Sequence, residues 1–414
     1  MTYSRIVTRD YFDGERHYRG GPFAIELRDG RIASVAPFTG SPAAGDIVAP
    51  FVMPGLVEAH AHIFLDGAEL DGDKRGAYLK ADLPTMMATA HANLDKHTLA
   101  GVTLVRDAGD RYGVNKAIRD ELRGRDDAVI SLRAPGLGIK RPKRYGAFMA
   151  RDIVASSEIG PTVEDLARDG DDIKIILTGI IDFVAGTVKG EPQFNREELT
   201  DIVTTAHRLG RKTFAHCSGL AGLEVAVAAG VDSIEHGFFM TRDILARMAD
   251  KNIAWVPTFS PVHFQWARPE VAGWDGATVD NLRRILDSHS EHTAIAHELG
   301  VMLVAGSDAG SHGVDHGSSL IDELFHFLHA GLPMESVLTS ATSRPRKLWG
   351  LPPASIAAGQ DAELIVLDRS PFEQPDALRA VRQVIVGNAC AERRGEGMKP
   401  GRLDRQPETV HEAQ

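Results

Sequence analysis

Cysteine is almost missing from this chain: Cys217 and Cys390 are the only two among 414 residues. Two isolated thiols exclude a disulfide framework, and their separation excludes the paired spacing of a thiolate metal site. A reducing, cytoplasmic setting fits that usage. No uninterrupted apolar run is long enough to cross a bilayer, and the opening "MTYSRIVTRDYFDGERHYRG" has no apolar signal-peptide core, so neither export nor a membrane anchor is expected. Positive charge is not in excess either: 46 Lys and Arg stand against 57 Asp and Glu, for a net charge of -11. That balance argues against a broad polyanion-binding surface, and so against nucleic acid as a partner. No Gly-x-Gly-x-x-Gly follows an early strand, which removes the usual dinucleotide crevice. A small-molecule substrate remains as the expected partner, with assembly into a homo-oligomer left open.

What is present is a change of texture along the chain. "FAIELRDGRIASVAPF", from Phe23, alternates apolar and polar residues around Asp29-Gly30, the composition of a tight β-hairpin. "DAELIVLD" and "AVRQVIVGNACA" repeat that texture near the other end. Between them short apolar runs alternate with helical stretches such as "REELTDIVTTAHRLG", whose apolar residues recur at helical spacing before a candidate capping glycine, Gly210. Eight strands are predicted, ending in "LVEAHAH", "GVTLVRDAG", "AVISLRAPG", "DIKIILTG", "KTFAHCSG", "DSIEHG", "IAWVPTF" and "VMLVAGSDAG". Eight βα units predict an α/β fold, a (β/α)8 TIM barrel, with a small flanking β-sandwich domain built from both chain ends. The expected divisions are 1–53 and 353–414 for the small domain and 54–352 for the barrel. The polar tail from Arg393, "RRGEGMKPGRLDRQPETVHEAQ", is expected to be loosely held.

Chemistry-bearing residues gather at the predicted strand ends. His60 and His62 end strand one, Lys174 lies in strand four, His216 ends strand five, His236 ends strand six and Asp308 ends strand eight. In a barrel these ends meet at one mouth. Residues i and i+2 on a strand share a face, so both imidazoles of His-x-His can address one ion. Imidazoles and a carboxylate suit zinc and similar divalent ions. Lys174, on a strand too apolar for an unpaired charge, is drawn toward its neutral amine, which can add carbon dioxide to give an anionic, two-oxygen carbamate.

The pieces "PGLVEAHAH", "DIKIILTG", "FAHCSG", "DSIEHG" and "GSDAG", in that order, with "AELIVLD" and "VIVGN" closing the chain, resemble the amidohydrolase superfamily of the binuclear type with a carboxylated lysine. "VDSIEHG", "VPTFSP" and His316-Gly317 after "SDAG" are similar to the prolidase-like and imidazolonepropionase-like subgroup. The resemblance implies two divalent metal ions, zinc by expectation. His60, His62 and Asp308 would hold one and His216 and His236 the other, with carboxylated Lys174 bridging them. It implies hydrolysis of an amide C–N bond, of an N-acyl amino acid or dipeptide, by a metal-bridging hydroxide with Asp308 as general base and acid.

The loop after strand three carries Arg141, Lys143, Arg144 and Tyr145, a candidate clamp for a substrate carboxylate. His312 and His316 follow strand eight closely enough to reach the same site. Phe64, Phe183, Phe259 and Trp266 are apolar candidates for its mouth. The same hydroxide would attack a lactone, carbamate, urea or organophosphate. A mononuclear deaminase would need a glutamate just after the strand-five histidine, where this chain has "CSGLAG". A non-catalytic barrel that only binds is the remaining alternative.

Overall fold

The computed structural model describes residues 3–394 and 397–403. Asp29 and Gly30 take φ values of 48° and 78°, the two left-handed conformations that a type I′ turn needs. They join the antiparallel strands Phe23–Arg28 and Arg31–Pro37. These belong to a nine-stranded sheet drawn from both ends of the chain. Tyr3–Phe12 pairs with Phe23–Arg28 on one side and Ile47–Pro54 on the other. Ile47–Pro54 pairs antiparallel with Glu363–Leu367, and the sheet continues through Val381–Val386, Ala389–Arg394 and Gly397–Arg402. Ile6, Ile25, Ile32, Val52, Leu364 and Ile385 form its buried core, drawing on both ends. Part of the tail expected to be loose is therefore a paired strand, since every position of Gly397–Arg402 has a register partner on Ala389–Arg394. The remainder of that tail, 404–414, lies outside the described residues, as do 395 and 396.

In the middle of the chain, parallel strands alternate with helices. Leu56–Ala61, Val102–Asp107 and Ser131–Arg133 make one sheet. Gly138–Lys140, Asp172–Ile176, Lys212–Cys217, Ser233–His236 and Ala254–Val256 make another, edged by Ala150–Asp152. At one margin the sheets are tied by Asp171 N donating to Ala134 O at 2.9 Å and by the Arg133–Asp172 ion pair at 2.8 Å. At the other, the segment expected as an eighth strand makes only isolated bridges, Leu303 to Trp255 and Ala309 to Ala61. A left-handed φ of 57° at Asp308 interrupts the pleat there.

Helix Arg196–Arg208 shows why such segments form. Asn195 and Glu198 close a reciprocal capping box, Leu199, Ile202, Val203 and Ala206 bury one face, and Gly210 leaves at φ 69°. No described helix is long and apolar enough to cross a membrane.

Beneath the strand ends, Val57, Ala59, Leu104, Val256 and Val304 pack with Trp349 as an apolar floor. By strict alternation His60 and His62 would face away from Val57 and Ala59. A register shift between Glu58 and Ala61 against Val102–Asp107 turns them to the same side.

Candidate metal centre

His60 and His62 are laced to the segment that carries Asp308. The Glu58 carboxylate accepts from His60 N and Ser307 N, both at 2.9 Å, and from Ser307 Oγ at 2.6 Å. Asp308 N donates to His60 O, and His62 N to Ala309 O, each at 2.7 Å. The Asp308 carboxylate thereby stands 3.6 Å from His60 Nε2 and 3.5 Å from His62 Nε2. One ligand atom from each of these three buried residues lies within 4.8 Å of the others, and no second group of this kind occurs among the described residues. Asp308, His236 and Thr258 are non-glycine residues at positive φ, 57°, 67° and 50°. Such strain, about 1–3 kcal/mol each, persists where the surroundings over-determine it.

The imidazoles are set up as donors to an ion. His60 Nδ1 donates to Glu235 Oε2 at 2.6 Å, and Glu235 is itself held by Arg106 Nη2 at 2.9 Å to both oxygens and by Ser233 Oγ at 2.5 Å. His62 Nδ1 donates to Gly109 O at 3.3 Å. His236 Nδ1 meets Thr258 Oγ1 at 2.7 Å, leaving its buried Nε2 without a partner. The His216 ring centroid is 4.5 Å from that of His236, which is 5.0 Å from that of His60. Burial pushes His62 and His216 down to about 3 and His60 and His236 well below the usual histidine value, so all four are neutral, the form a metal requires. Lys174 is 1% exposed, its Nζ 4.8 Å above the Phe214 ring. Burial lowers its ammonium to about 8, against the opposing pull of Glu235 and Asp308. Neutral imidazoles, an orphaned His236 nitrogen and a carboxylate are a donor set that fits a divalent ion of borderline softness.

A cavity of about 220 Å³ opens onto this cluster, lined by His216, His236 and Asp308 together with Tyr145 and His312. Burial raises the Tyr145 phenol far above its usual value, so it stays a hydrogen-bond donor.

The amidohydrolase family profile matches residues 51–402, the larger part of the sequence. The chain belongs to the amidohydrolase family. Members of that family bind divalent metals, and this amidohydrolase is an enzyme of the hydrolase class. It is 29% identical over 360 residues to an uncharacterized protein of Mycobacterium tuberculosis, covering 86% of this chain and 89% of the other. It is 27% identical over 357 residues to an ochratoxinase of Aspergillus niger, covering 78% and 71%. A solved Xaa-Pro dipeptidase with methionine in its active site superposes at a TM-score of 0.80 and 25% identity, covering 97% of this chain and 100% of that one. The fold shared with such neighbours is of the TIM-barrel type.

Not every predicted site residue of this amidohydrolase reaches the cavity. Arg141 donates to Glu198, to Ile153 O at 3.0 Å, to Val154 O at 3.2 Å and to Gln193 O at 3.3 Å, and covers the Phe194 ring. Arg144 donates to Glu191 O. Neither lines the cavity, since carboxylate and carbonyl acceptors of neighbouring elements hold both guanidinium groups; of the loop residues Arg141, Lys143, Arg144 and Tyr145 expected there, Tyr145 alone is among its lining residues. His316 is buried between His97 Nε2 at 3.0 Å and Leu65 O at 2.9 Å, outside the cavity. Of the aromatic candidates Phe183 lines the cavity, while Phe64, Phe259 and Trp266 do not.

Sequence reasoning passed over Arg106 and Glu235. The signal for Glu235 was its place beside His236 in "SIEH", but neighbours on a strand ordinarily point to opposite faces. Only the left-handed φ of His236 brings both side chains inward.

Proposed function

We propose that the two parallel sheets act as one closed (β/α)8 barrel, flanked by a sandwich-like domain from residues 1–53 and 353–414, and that the barrel hydrolyses an amide C–N bond of a small molecule. The observation that carries this is the set of buried, neutral imidazoles around Asp308, with three Nδ1 atoms tied to protein oxygens and the His236 Nε2 left orphaned. His60, His62 and Asp308 would hold one divalent ion, zinc by its donor preference, and His216 and His236 a second. When bound, such ions lower the pKa of water to supply a nucleophile and polarise the substrate carbonyl.

The protein's own groups do the rest. Lys174, whose ammonium burial brings down to about 8, is the residue that would add carbon dioxide, its nitrogen forming an N–C bond and losing a proton, and the resulting carbamate would supply anionic oxygen donors to the ions. Asp308, whose Oδ2 accepts from Ser311 Oγ at 3.0 Å, takes the proton of the attacking water and returns it to the leaving nitrogen. Tyr145 donates a hydrogen bond from the cavity wall to the substrate. Cys217 is a free, buried thiol, which suits a reducing cytoplasm.

The test is elemental analysis of protein purified without chelator, alongside turnover of a panel of small amides. About two ions per chain are expected, with activity lost on chelation and regained with zinc. Full activity in metal-free protein would overturn the proposal. One ion at full occupancy, with an unmodified Lys174, would remove the bridged form.

A further inference from the structure

The cavity has two unlike sides. One is the polar cluster, and the other is built from Ile180, Ile181 and Phe183, which follow strand Asp172–Ile176, together with Phe238, Pro261 and Val262. The apolar side is held in place. Asn281 Nδ2, from helix Gly276–Glu298, donates to Phe183 O at 3.1 Å and Val184 O at 2.9 Å, and the Phe183 ring meets Trp274 edge-on at 6.0 Å. Other polar groups at the wall, Ser218, Thr258, Gln265 and Ser311, carry no charge, and no lysine or arginine lines the cavity. Gln265 Oε1 accepts from Trp274 Nε1 at 2.8 Å, which leaves its amide N–H groups as donors to a ligand.

Resting on the amide-hydrolase reading above, we infer that this wall is an acyl-group subsite for uncharged substrates, and that it takes an aromatic or comparably bulky apolar acyl group rather than an acid with a free carboxylate. The whole cavity, polar end included, measures about 220 Å³ against roughly 150 Å³ for an apolar cavity known to take benzene, so it has room for a ring beside the reacting amide. A carboxylate placed against Ile181, Phe183 and Val262 would lose its water and meet no cation there. Asp308 lines the same cavity, so an acyl group held on this wall shares its enclosure with the carboxylate.

Three probes of one skeleton separate the contributions: N-benzoylglycinamide, N-acetylglycinamide and N-(4-carboxybenzoyl)glycinamide, whose carboxylate is carried by the acyl group, given to the metal-loaded protein. Both kcat/KM and calorimetric binding are measured, on the native chain and on Phe183→Ala. The neutral benzoyl amide is expected to exceed the acetyl amide by about tenfold or more, the gain of burying a ring, and to exceed its carboxylate twin by about tenfold. Phe183→Ala should shrink the benzoyl-over-acetyl ratio. Turnover that is equal for benzoyl and acetyl amides, or faster for N-(4-carboxybenzoyl)glycinamide, overturns the subsite and leaves amide hydrolysis standing. Tight binding of the benzoyl amide without turnover of any probe keeps the subsite and overturns the hydrolase reading. Absence of both binding and turnover overturns the subsite.

Discussion

Glu235→Gln is the perturbation that separates orientation of the site from stability of the fold. Glu235 is fully buried and takes hydrogen bonds from His60, Arg106 and Ser233 at once. The glutamine oxygen can still accept from His60 Nδ1, but its NH2 would then face the donors of Arg106 and Ser233, and the buried Arg106 would lose its counter-charge. Breaking a buried ion pair in this way costs about 3–5 kcal/mol. The lower end applies here. The Arg106 guanidinium keeps a 2.8 Å bond from Nε to Ala59 O and lies over the Phe214 and Trp349 rings at 4.1 and 5.2 Å. Such ring contacts return about 0.5–2 kcal/mol. Urea unfolding of the metal-free protein should therefore show a loss of about 3 kcal/mol. A chelator competition should show metal held about 10–100-fold more weakly, because His60 then donates to a neutral amide that the donors of Arg106 and Ser233 push out of place, in exchange for an anchored carboxylate. The double variant Arg106→Met with Glu235→Leu removes both charges and should recover most of the stability but none of the metal affinity. Unchanged metal affinity in both variants would refute the positioning role, and a stability loss below about 1 kcal/mol in Glu235→Gln would refute the assigned energetics.

Asp308→Asn should keep the fold and lose about 10²–10⁴-fold in kcat, measured on protein shown by elemental analysis to be metallated; near-native turnover would contradict its proton-transfer role. Arg141→Ala should lower stability by about 1.5–3 kcal/mol, the worth of a charged hydrogen bond, while KM for a carboxylate-bearing substrate stays within about twofold. A selective rise in that KM would restore the clamp. His289 is stacked on Phe238 at 3.9 Å and donates Nε2 to Pro257 O at 3.0 Å. Burial holds it at about 3, against 6.5 for an ordinary histidine. Its folded pKa is depressed, so the unfolded chain binds the extra proton first, and the associated stability, present above pH 6.5, falls as pH drops toward 3. His289→Gln should flatten that acid limb by about 1.4 kcal/mol per pH unit, read from urea midpoints between pH 4 and 6; an unaltered slope would show that His289 titrates normally.

The grouping of the candidate ligands was visible in the sequence because all but Lys174, which lies within its strand, stand at the end of an apolar run, and parallel strands bring such ends together whatever their separation in the chain. The hairpin at Asp29-Gly30 was legible for a local reason, a turn type that few dipeptides accept. Illegible were features made by departures from regular geometry. The register shift between Glu58 and Ala61 and the left-handed turn at His236 are not written in any periodic pattern, so the inward aim of Glu235 could not be read. The run 301–310 looked like a strand because it is apolar, yet Asp308 turns the backbone within it. Arg141 misled for a different reason. Its counter-ion, Glu198, belongs to the capping box of a helix more than fifty residues on, and charge in a loop carries no record of the acceptor that will meet it.

The pairing of Ile47–Pro54 with Glu363–Leu367 bears on how the chain is made. As the chain emerges from a ribosome, this apolar strand must wait for its neighbour while about 300 intervening residues are made. Through that interval Phe51, Val52 and Met53, fully buried in the finished protein, offer an open edge to any passing strand. The small sheet therefore closes last, with the parallel strands already collapsed, and so distant a pairing is slow. Premature termination just before Glu363 would leave every proposed metal ligand in place on a chain that cannot cover its own N-terminal edge, and so would give aggregation rather than a smaller working enzyme.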